Sequence, residues 1–268
     1  MLTFVTVNYN SSHVIKNLLT SLVDVTQNHS NKFEFIIYDN FYSDEERIKV
    51  KELEVDFAFV KVVNGNENVG FAKGNNIAAS LSIYDYLFFI NPDCLFNEEA
   101  INEAFDLASE SVNSPFFFPI VDEDNNGVKY CFRFPFLSHY LMRNPWRWFT
   151  GANLLISKEL FNSIGGWPED YFMYSEDTDL HYILNLNNKK IKLAKSKISH
   201  IGNASVSTVW NTLERERRVF NSMLTFAKKY NKRIDFLSYY IFVSLSFLIK
   251  KPSYTVLRLK AMYGEIKL

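Results

Sequence analysis

The chain has 268 residues, 47% of them hydrophobic and 22% charged, which excludes a largely disordered polymer and allows one large α/β domain or two small ones. A net charge of −1 and a pI near 6.5 exclude wholesale nucleic-acid binding. Two cysteines, Cys94 and Cys131, make no disulfide framework and point to a reducing compartment.

Met1 to Asn8 has no basic n-region and too short an apolar run for a signal peptide, so the expectation is a cytosolic chain that begins on a strand. Residues 2 to 7 read as a buried parallel strand that stops at the turn-forming Asn8-Tyr9-Asn10-Ser11-Ser12. His13 to Val25 is predicted as a helix with Val14, Ile15, Leu18, Leu19 and Leu22 on one face. Phe33 to Tyr38 is the next strand and ends at Asp39-Asn40; a helix is expected from Ser43 to Leu53 and a strand from Phe57 to Val63. Asn64 to Asn76 is read as a Gly- and Asn-rich loop running into a helix at Ile77 to Leu81. Tyr86 to Ile90 is the fourth strand, ending at Asn91-Pro92-Asp93-Cys94, and Glu98 to Ser109 is another helix. Such alternation gives a parallel sheet with helices on its faces, and ligands bind beyond the carboxyl ends of its strands. Four polar clusters therefore fall along one edge.

After residue 110 the rhythm changes. A strand at Phe116 to Val121, a turn at Asp122 to Gly127, an irregular aromatic-basic excursion from Tyr130 to Phe149 and a strand at Gly151 to Ile156 are expected. A short helix at Lys158 to Ile164 closes on Gly165-Gly166. Next comes Trp167-Pro168-Glu169-Asp170-Tyr171-Phe172-Met173-Tyr174-Ser175-Glu176-Asp177-Thr178-Asp179-Leu180, with Ser175 as a helix N-cap and carboxylates in the first turn. It reads either as an acidic helix start or as a cleft carboxylate acting as a general base. Lys189 to Ala194 is a last strand, Ser199 to Gly202 a loop and Glu214 to Lys229 an amphipathic helix. Phe236 to Ile249 is apolar nearly throughout, shorter than the ~20 residues that span a bilayer, and followed by Lys250-Lys251. It fits a helix lying in the headgroup region of a membrane, a helix packed on the domain, or a homodimer contact.

Asp39 can accept a base or ribose hydrogen bond, or simply form its turn. The Asn64 to Asn76 loop lacks the Walker ending and the dinucleotide glycine spacing, though Lys73 offers a positive charge to phosphate. Pro92 fixes the backbone so that Asp93 sits at the cleft edge, where a hard ion such as Mg²⁺ or Mn²⁺ takes one or two carboxylates plus substrate phosphates. His200 can add an imidazole ligand. Cys94 reads as core, and His13, His29, His139 and His181 as structural.

Val5 to Asn10, Asp39-Asn40, Asn68 to Asn76, Asn91-Pro92-Asp93, Gly151-Ala152, Gly165-Gly166-Trp167 and Tyr171 to Leu180 occur in that order. Together they resemble a family 2 glycosyltransferase with the GT-A fold, most closely the bacterial rhamnosyltransferase-like members that build O-antigen and other cell-surface polysaccharides. The resemblance covers roughly residues 2 to 230. It implies an α/β fold with a mostly parallel sheet: a 1–230 transferase domain (1–110 nucleotide-sugar-binding, 111–230 acceptor and catalytic) and a 231–268 apolar-basic helical extension. It implies that Asn8, Tyr9, Asn10, Asp39 and Asn40 hold base and ribose, that Gly70, Lys73, Asn75, Asn91 and Gly151 line the nucleotide-sugar side, and that Asp93 and His200 hold the metal. Asp177 is implied as the general base with Glu176 beside it, like charges that raise one pKa. The usual Asp-x-Asp is reduced here to Asn91-Pro92-Asp93, leaving one sure carboxylate ligand.

The expected reaction is inverting transfer, with rhamnose from dTDP-rhamnose as the first sugar, to a saccharide or polyprenyl-diphosphate-linked acceptor at the inner membrane face. Lys73 or Arg217 would help the departing diphosphate; Trp146, Trp148, Arg143 and Arg147 border the acceptor or form a core patch. Other family 2 transferases using UDP- or GDP-sugars, and a non-catalytic sugar-nucleotide-binding subunit, stand as alternatives. A nucleotidyltransferase would need a Gly-x-Gly-Thr-Arg loop where Asn8-Tyr9-Asn10-Ser11 stands.

Overall fold

The computed structural model describes residues 1–26, 33–111, 113–122, 124, 126–128, 130–150, 153–200 and 212–266. The first half alternates as expected: β1 (Leu2–Asn8), α1 (Ser12–Thr26), β2 (Phe33–Asp39), α2 (Asp44–Asp56), β3 (Val60–Asn64), α3 (Phe71–Ser80), β4 (Tyr86–Phe89), β5 (Cys94–Leu95) and α4 (Glu98–Ser109). Local chemistry sets the helix starts. Ser43 accepts from the Glu46 amide at 3.2 Å, and Asn97 from the Ala100 amide at 2.8 Å. The Glu46 carboxylate reaches back to the Ser12 amide and hydroxyl at 2.7 and 2.9 Å, tying α2 to the start of α1.

The second half brings β6 (Phe116–Phe117), β7 (Ile120–Val121), β8 (Cys131–Arg133), α5 (Leu137–Leu141), β9 (Arg147–Phe149), β10 (Leu154–Ser157), α6 (Lys158–Ser163), α7 (Glu176–Leu186), β11 (Lys192–Leu193) and β12 (Ile198–His200). Three helices end the described chain: α8 (Thr212–Lys229), α9 (Arg233–Ser246) and α10 (Pro252–Ile266).

A seven-stranded sheet runs β11-β6-β10-β4-β1-β2-β3. Its pairs are parallel except where β10 lies antiparallel to β4 and β6. Alternate side chains feed two cores, because successive strand residues point to opposite faces. Phe4, Phe35 and Phe88 pack with α1 and α4 on one face; Val5, Ile36 and Phe89 pack with Trp167 and Leu180 on the other. A small sheet, β5-β12-β7, sits at the edge.

Three expectations about the second-half strands and the segments around them need correction. The strand at Phe116 to Val121 is two strands in two sheets, parted by Phe118 and by Pro119, which has no N–H to donate to a ladder. The supposed loop at His200 is the end of β12. The excursion from Tyr130 to Phe149 holds an antiparallel pair, β8 with β9, and a short helix. Phe134 and Phe136 from that excursion share a third core with Tyr182, Phe220, Phe226, Phe236 and Tyr240, so α8 and α9 pack onto it. That cluster accounts for much of the aromatic excess. The outer stripe of α9 remains open: Ile234 is 81% exposed and Leu245 51%. Among the described residues no helix is long and apolar enough to cross a membrane.

Candidate active site

The parallel strands deliver their polar ends to one edge. Asn8 and Asp39 are register partners at the ends of β1 and β2. The Asn8 amide donates to Asp39 Oδ1 at 2.9 Å, and Arg47 Nε approaches Oδ2 at 3.4 Å. Both side chains are buried, so they build the floor of this edge. Arg47 carries no sequence signal for this role; it comes from the first turn of α2, lies 4.4 Å over the Phe41 ring and donates to the Gly65 carbonyl. Above the floor, Tyr9 meets the half-exposed Tyr42 edge-on at 5.3 Å, and Asn10 is exposed in a left-handed conformation. Asn40 ties this edge to the next loop: its amide donates to the Gly70 carbonyl at 3.1 Å and its oxygen accepts from Val69 at 2.9 Å.

The predicted loop from Asn64 to Asn76 is helical from Phe71, earlier than its composition suggests. Gly70 is the N-cap with φ +86°, a conformation glycine adopts without strain. A Cβ there would sit 2.6 Å from the Phe172 carbonyl oxygen. The Gly70 loop therefore abuts the stretch leading into α7. Lys73 points outward, whereas Asn75 is buried and bonds its own helix at the Phe71 carbonyl, 3.0 Å away. Asn76 fastens the other side: it donates to the Trp167 carbonyl and accepts from the Trp167 amide, both at 2.8 Å.

At the end of β4, Asn91 is half-buried in the turn that carries Asp93. The antiparallel register sets His200 opposite Cys94, which brings His200 Nε2 to 3.2 Å from Asp93 Oδ1. Adjacent ligands of an octahedral ion with bonds of about 2.1 Å stand about 3 Å apart, so this pair fits two neighbouring positions on a Mg²⁺ or Mn²⁺ ion. The Cys94 thiol completes a potential three-donor group. Burial and the Asp93 charge push its pKa up, and it donates to Asn153 Oδ1 at 3.4 Å. As a neutral thiol it is a core group, and the donor set is oxygen and imidazole. Gly151 lies outside the described residues.

The acidic stretch divides its carboxylates by environment. Tyr174 and Ser175 both have left-handed backbones, φ 69° and 70°. Two such residues in succession store strain where the chain enters α7. The Ser222 hydroxyl donates to the Tyr174 carbonyl. Ser175 occupies the cap position but makes no side-chain cap bond, because its backbone is not the extended one that capping needs. Glu176 Oε2 is buried with no hydrogen-bond partner among the described residues. Burial, then the charge of Asp177, holds the Glu176 carboxyl well above the usual range. Glu176 thus holds its proton more tightly than a free glutamate does. Asp177 Oδ1 accepts from the Thr178 amide at 2.6 Å. His181, one turn on, donates from Nδ1 to the Asp177 carbonyl at 2.6 Å. Burial pushes His181 down to about 4, so it stays neutral. It is tied to the backbone of Asp177, a contact its isolated position in the sequence did not signal.

Asp179 faces away from the cleft. Fully buried, it accepts from Tyr171 at 3.0 Å, from Lys229 at 2.7 Å and from the Tyr230 hydroxyl. Asp170 also takes Lys229, at 2.7 Å, and Glu169 accepts from Asn76 at 2.8 Å. The two tryptophans of the excursion are committed to packing: Trp146 sits edge-on to Tyr182 at 5.6 Å, and Trp148 stacks on Phe132 and donates to the Arg133 carbonyl at 3.0 Å. Arg143 and Arg147 are exposed. Arg217 lies in the crevice beside Gly264 of α10; Arg215 and Arg218 are the α8 cations that face Tyr174.

Residues 3–175 match the profile of glycosyl transferase family 2. A low-salt glycan biosynthesis hexosyltransferase of Haloferax volcanii is 26% identical over 68% of this chain and 60% of its own length. An N-acetylglucosaminyl-diphospho-decaprenol L-rhamnosyltransferase of Mycobacterium tuberculosis is 27% identical over 36% of this chain and 40% of its own. The chain thus spans less than two thirds of these curated relatives. Among solved structures, the mannosyltransferase PcManGT of Pyrobaculum calidifontis with GDP-Man and Mn²⁺ superposes with a TM-score of 0.62 at 13% identity, covering 99% of this chain and 75% of that one. S. aureus TarS 1-349 with UDP-GlcNAc gives 0.61 at 18% identity, covering 97% and 79%. These likenesses show the GT-A fold.

Proposed function

The chain belongs to glycosyl transferase family 2, and from that premise we propose that it transfers a sugar from a nucleoside-diphosphate donor to a saccharide hydroxyl with inversion. The observation that carries this is the Gly70 to Phe172 contact, which sets the donor-side loop against the stretch that ends in Glu176 and Asp177. Asp39, Asn8 and Asn40 frame the nucleoside end, with the Tyr9 and Tyr42 pair as a platform for the base; Gly70, Lys73, Asn75, Asn91 and Gly151 belong to the sugar and diphosphate side. Asp177 accepts the proton of the attacking hydroxyl. Glu176, uncharged, avoids a second negative group beside the donor's phosphates. Asp93 and His200 are the residues that would hold Mg²⁺ or Mn²⁺, which would supply Lewis-acid stabilisation to the departing diphosphate.

We assign residues 1–110 to the donor, 111–230 to acceptor and catalysis, and 231–268 to a helical extension. L-rhamnose from dTDP-rhamnose and a polyprenyl-diphosphate-linked acceptor in cell-surface polysaccharide synthesis are our first choices. The name of the mycobacterial relative favours both. A UDP- or GDP-sugar is the second reading, favoured by the UDP-GlcNAc and GDP-Man in the two structural relatives. The exposed stripe of α9, followed by Lys250 and Lys251, suits the cytoplasmic surface of the inner membrane; a homodimer is the competing use of that face. A panel of dTDP-, UDP- and GDP-sugars, with and without Mn²⁺, against a lipid-diphosphate saccharide tests the reading. Transfer from none of them in the presence of metal would refute it.

A further inference from the structure

We infer that the cavity between the β8–β9 pair and the C-terminal helices binds the diphosphate headgroup of a lipid, with the lipid chain running out along α9. This rests on the reading that the acceptor is lipid-linked, and gives its headgroup a place. The cavity measures about 500 Å³ and is walled by Arg133, Arg147 and Arg258 together with Trp148, Tyr140 and Tyr239; among the described residues its wall contains no carboxylate.

The three arginines are held differently. Arg258 is fixed: Nε donates to Ser244 Oγ at 3.0 Å, the guanidinium lies 4.0 Å over Tyr240, and Glu216 stands 3.9 Å from Nη1. Arg133 is held by the Tyr140 carbonyl and sits 5.4 Å from its ring. Arg147 is exposed and reaches the Cys131 sulfur at 3.8 Å. Three guanidiniums against one carboxylate behind the wall leave an excess of two positive charges, the complement of a dianion. Guanidinium forks match phosphate oxygens in pairs.

The apolar part adjoins the charged part. Tyr140 in the wall meets Phe242 with ring centres 5.5 Å apart. Phe242 is 46% exposed, and Leu245, Leu248 and Ile249 continue the open surface beyond it. An inorganic anion has no use for that surface; a phosphorylated isoprenoid uses both. The cavity is also joined to the catalytic stretch. Val219, Phe220 and Met223 of α8 form part of its wall, and Ser222 of the same helix holds the Tyr174 carbonyl.

Trp148 provides the readout. Tryptophan emission is titrated in the purified chain and in Trp148→Phe, whose difference isolates Trp148 from Trp146, Trp167 and Trp210, with farnesyl diphosphate, farnesol and inorganic diphosphate, at saturating UDP so that the donor site is filled. Farnesyl diphosphate is expected to shift the emission, with much weaker responses to the other two, and the signal is expected to vanish in Trp148→Phe. Arg147→Gln and Arg133→Gln should each weaken farnesyl diphosphate about tenfold, the size of a lost hydrogen bond to a charged group. Unchanged affinity in both variants, farnesol or inorganic diphosphate binding as tightly as farnesyl diphosphate, or a signal that survives Trp148→Phe would overturn the assignment. Sugar transfer is measured on the same proteins. Lipid binding that persists, arginine-dependent, in a protein that transfers no sugar supports the cavity and counts against the transferase reading; transfer to a lipid-linked acceptor unaffected in both arginine variants counts against the cavity alone.

Discussion

Glu176 offers the sharpest test of how the acidic stretch divides its labour. Burial and the Asp177 charge raise its folded pKa above the value of about 4.3 that an unfolded glutamate shows. The sign follows directly. Below that value both states hold the proton, and the stability tied to it is fully present. As pH rises toward the folded pKa, the unfolded chain has released its proton and the folded chain has not. Unfolding is then favoured by up to about 1.4 kcal/mol for each pH unit, until the folded pKa is passed and the loss levels off. Glu176→Gln cannot ionise, so it removes this slope. Urea unfolding of both proteins at pH 5, 6 and 7 should show the variant gaining on the wild type by as much as about 2.7 kcal/mol across the interval, less any share of the titration taken by Asp177. Parallel curves for the two proteins would refute the claim that Glu176 is a buried, protonated neighbour. The same variant should retain most of its turnover, because glutamine keeps the neutral shape.

Asp177→Asn should instead lower kcat by roughly 10²- to 10⁴-fold with little change in unfolding midpoint, as expected for a lost general base. Asp179→Asn inverts that pattern: unpairing its two tyrosines and Lys229 should cost about 3 kcal/mol of unfolding free energy, the lower end for a broken buried pair because Lys229 keeps Asp170. Gly70→Ala should cost about 1–3 kcal/mol for the backbone conformation alone, because φ +86° with ψ 177° is a region only glycine adopts readily. It should also displace Phe172, raising KM for the donor; unchanged donor kinetics would argue against contact between the two loops. Chelation should abolish transfer, and His200→Ala should raise the half-saturating Mn²⁺ concentration by about tenfold or more, a loss on the scale of disturbing a metal site's supporting contacts.

The central sheet was legible because its signals are local. Buried β-branched and aromatic runs of four to seven residues, each ended by an Asn or Asp cluster, leave little doubt about strands or about the edge they share. Asp93 and the Glu176-Asp177 pair stood out through the ordered set of motifs rather than through any one local signal. What escaped were features set by register and packing. The start of α3 at Phe71 was hidden by its Gly and Asn content, since helix propensity is poor there and tertiary contacts at Tyr38 and Val7 override it. Arg47, Asn76 and His181 act through partners that no spacing rule reaches. The Tyr130 to Phe149 excursion and the apolar α9 looked like separate oddities, and only the folded chain reveals them as two sides of one aromatic core.

The three-stranded sheet has an order that bears on how the protein is made. Its latest strand in the sequence, β12, is its middle strand, and β5 and β7 each pair with it there. Asn97 beside β5 waits for a carbonyl 100 residues downstream, at Lys197. Strands of two residues cannot persist alone, so this corner stays open during synthesis until residue 200 has cleared the ribosome. Strands β1 to β4 of the large sheet can collapse well before then, since domains fold as their N-terminal parts emerge. A nascent chain can therefore have its Asn8–Asp39 edge in place while Asp93 still lacks His200. The Asp93–His200 corner therefore closes only once β12 has emerged, after β1 to β4 and with α8, α9 and α10 still to follow.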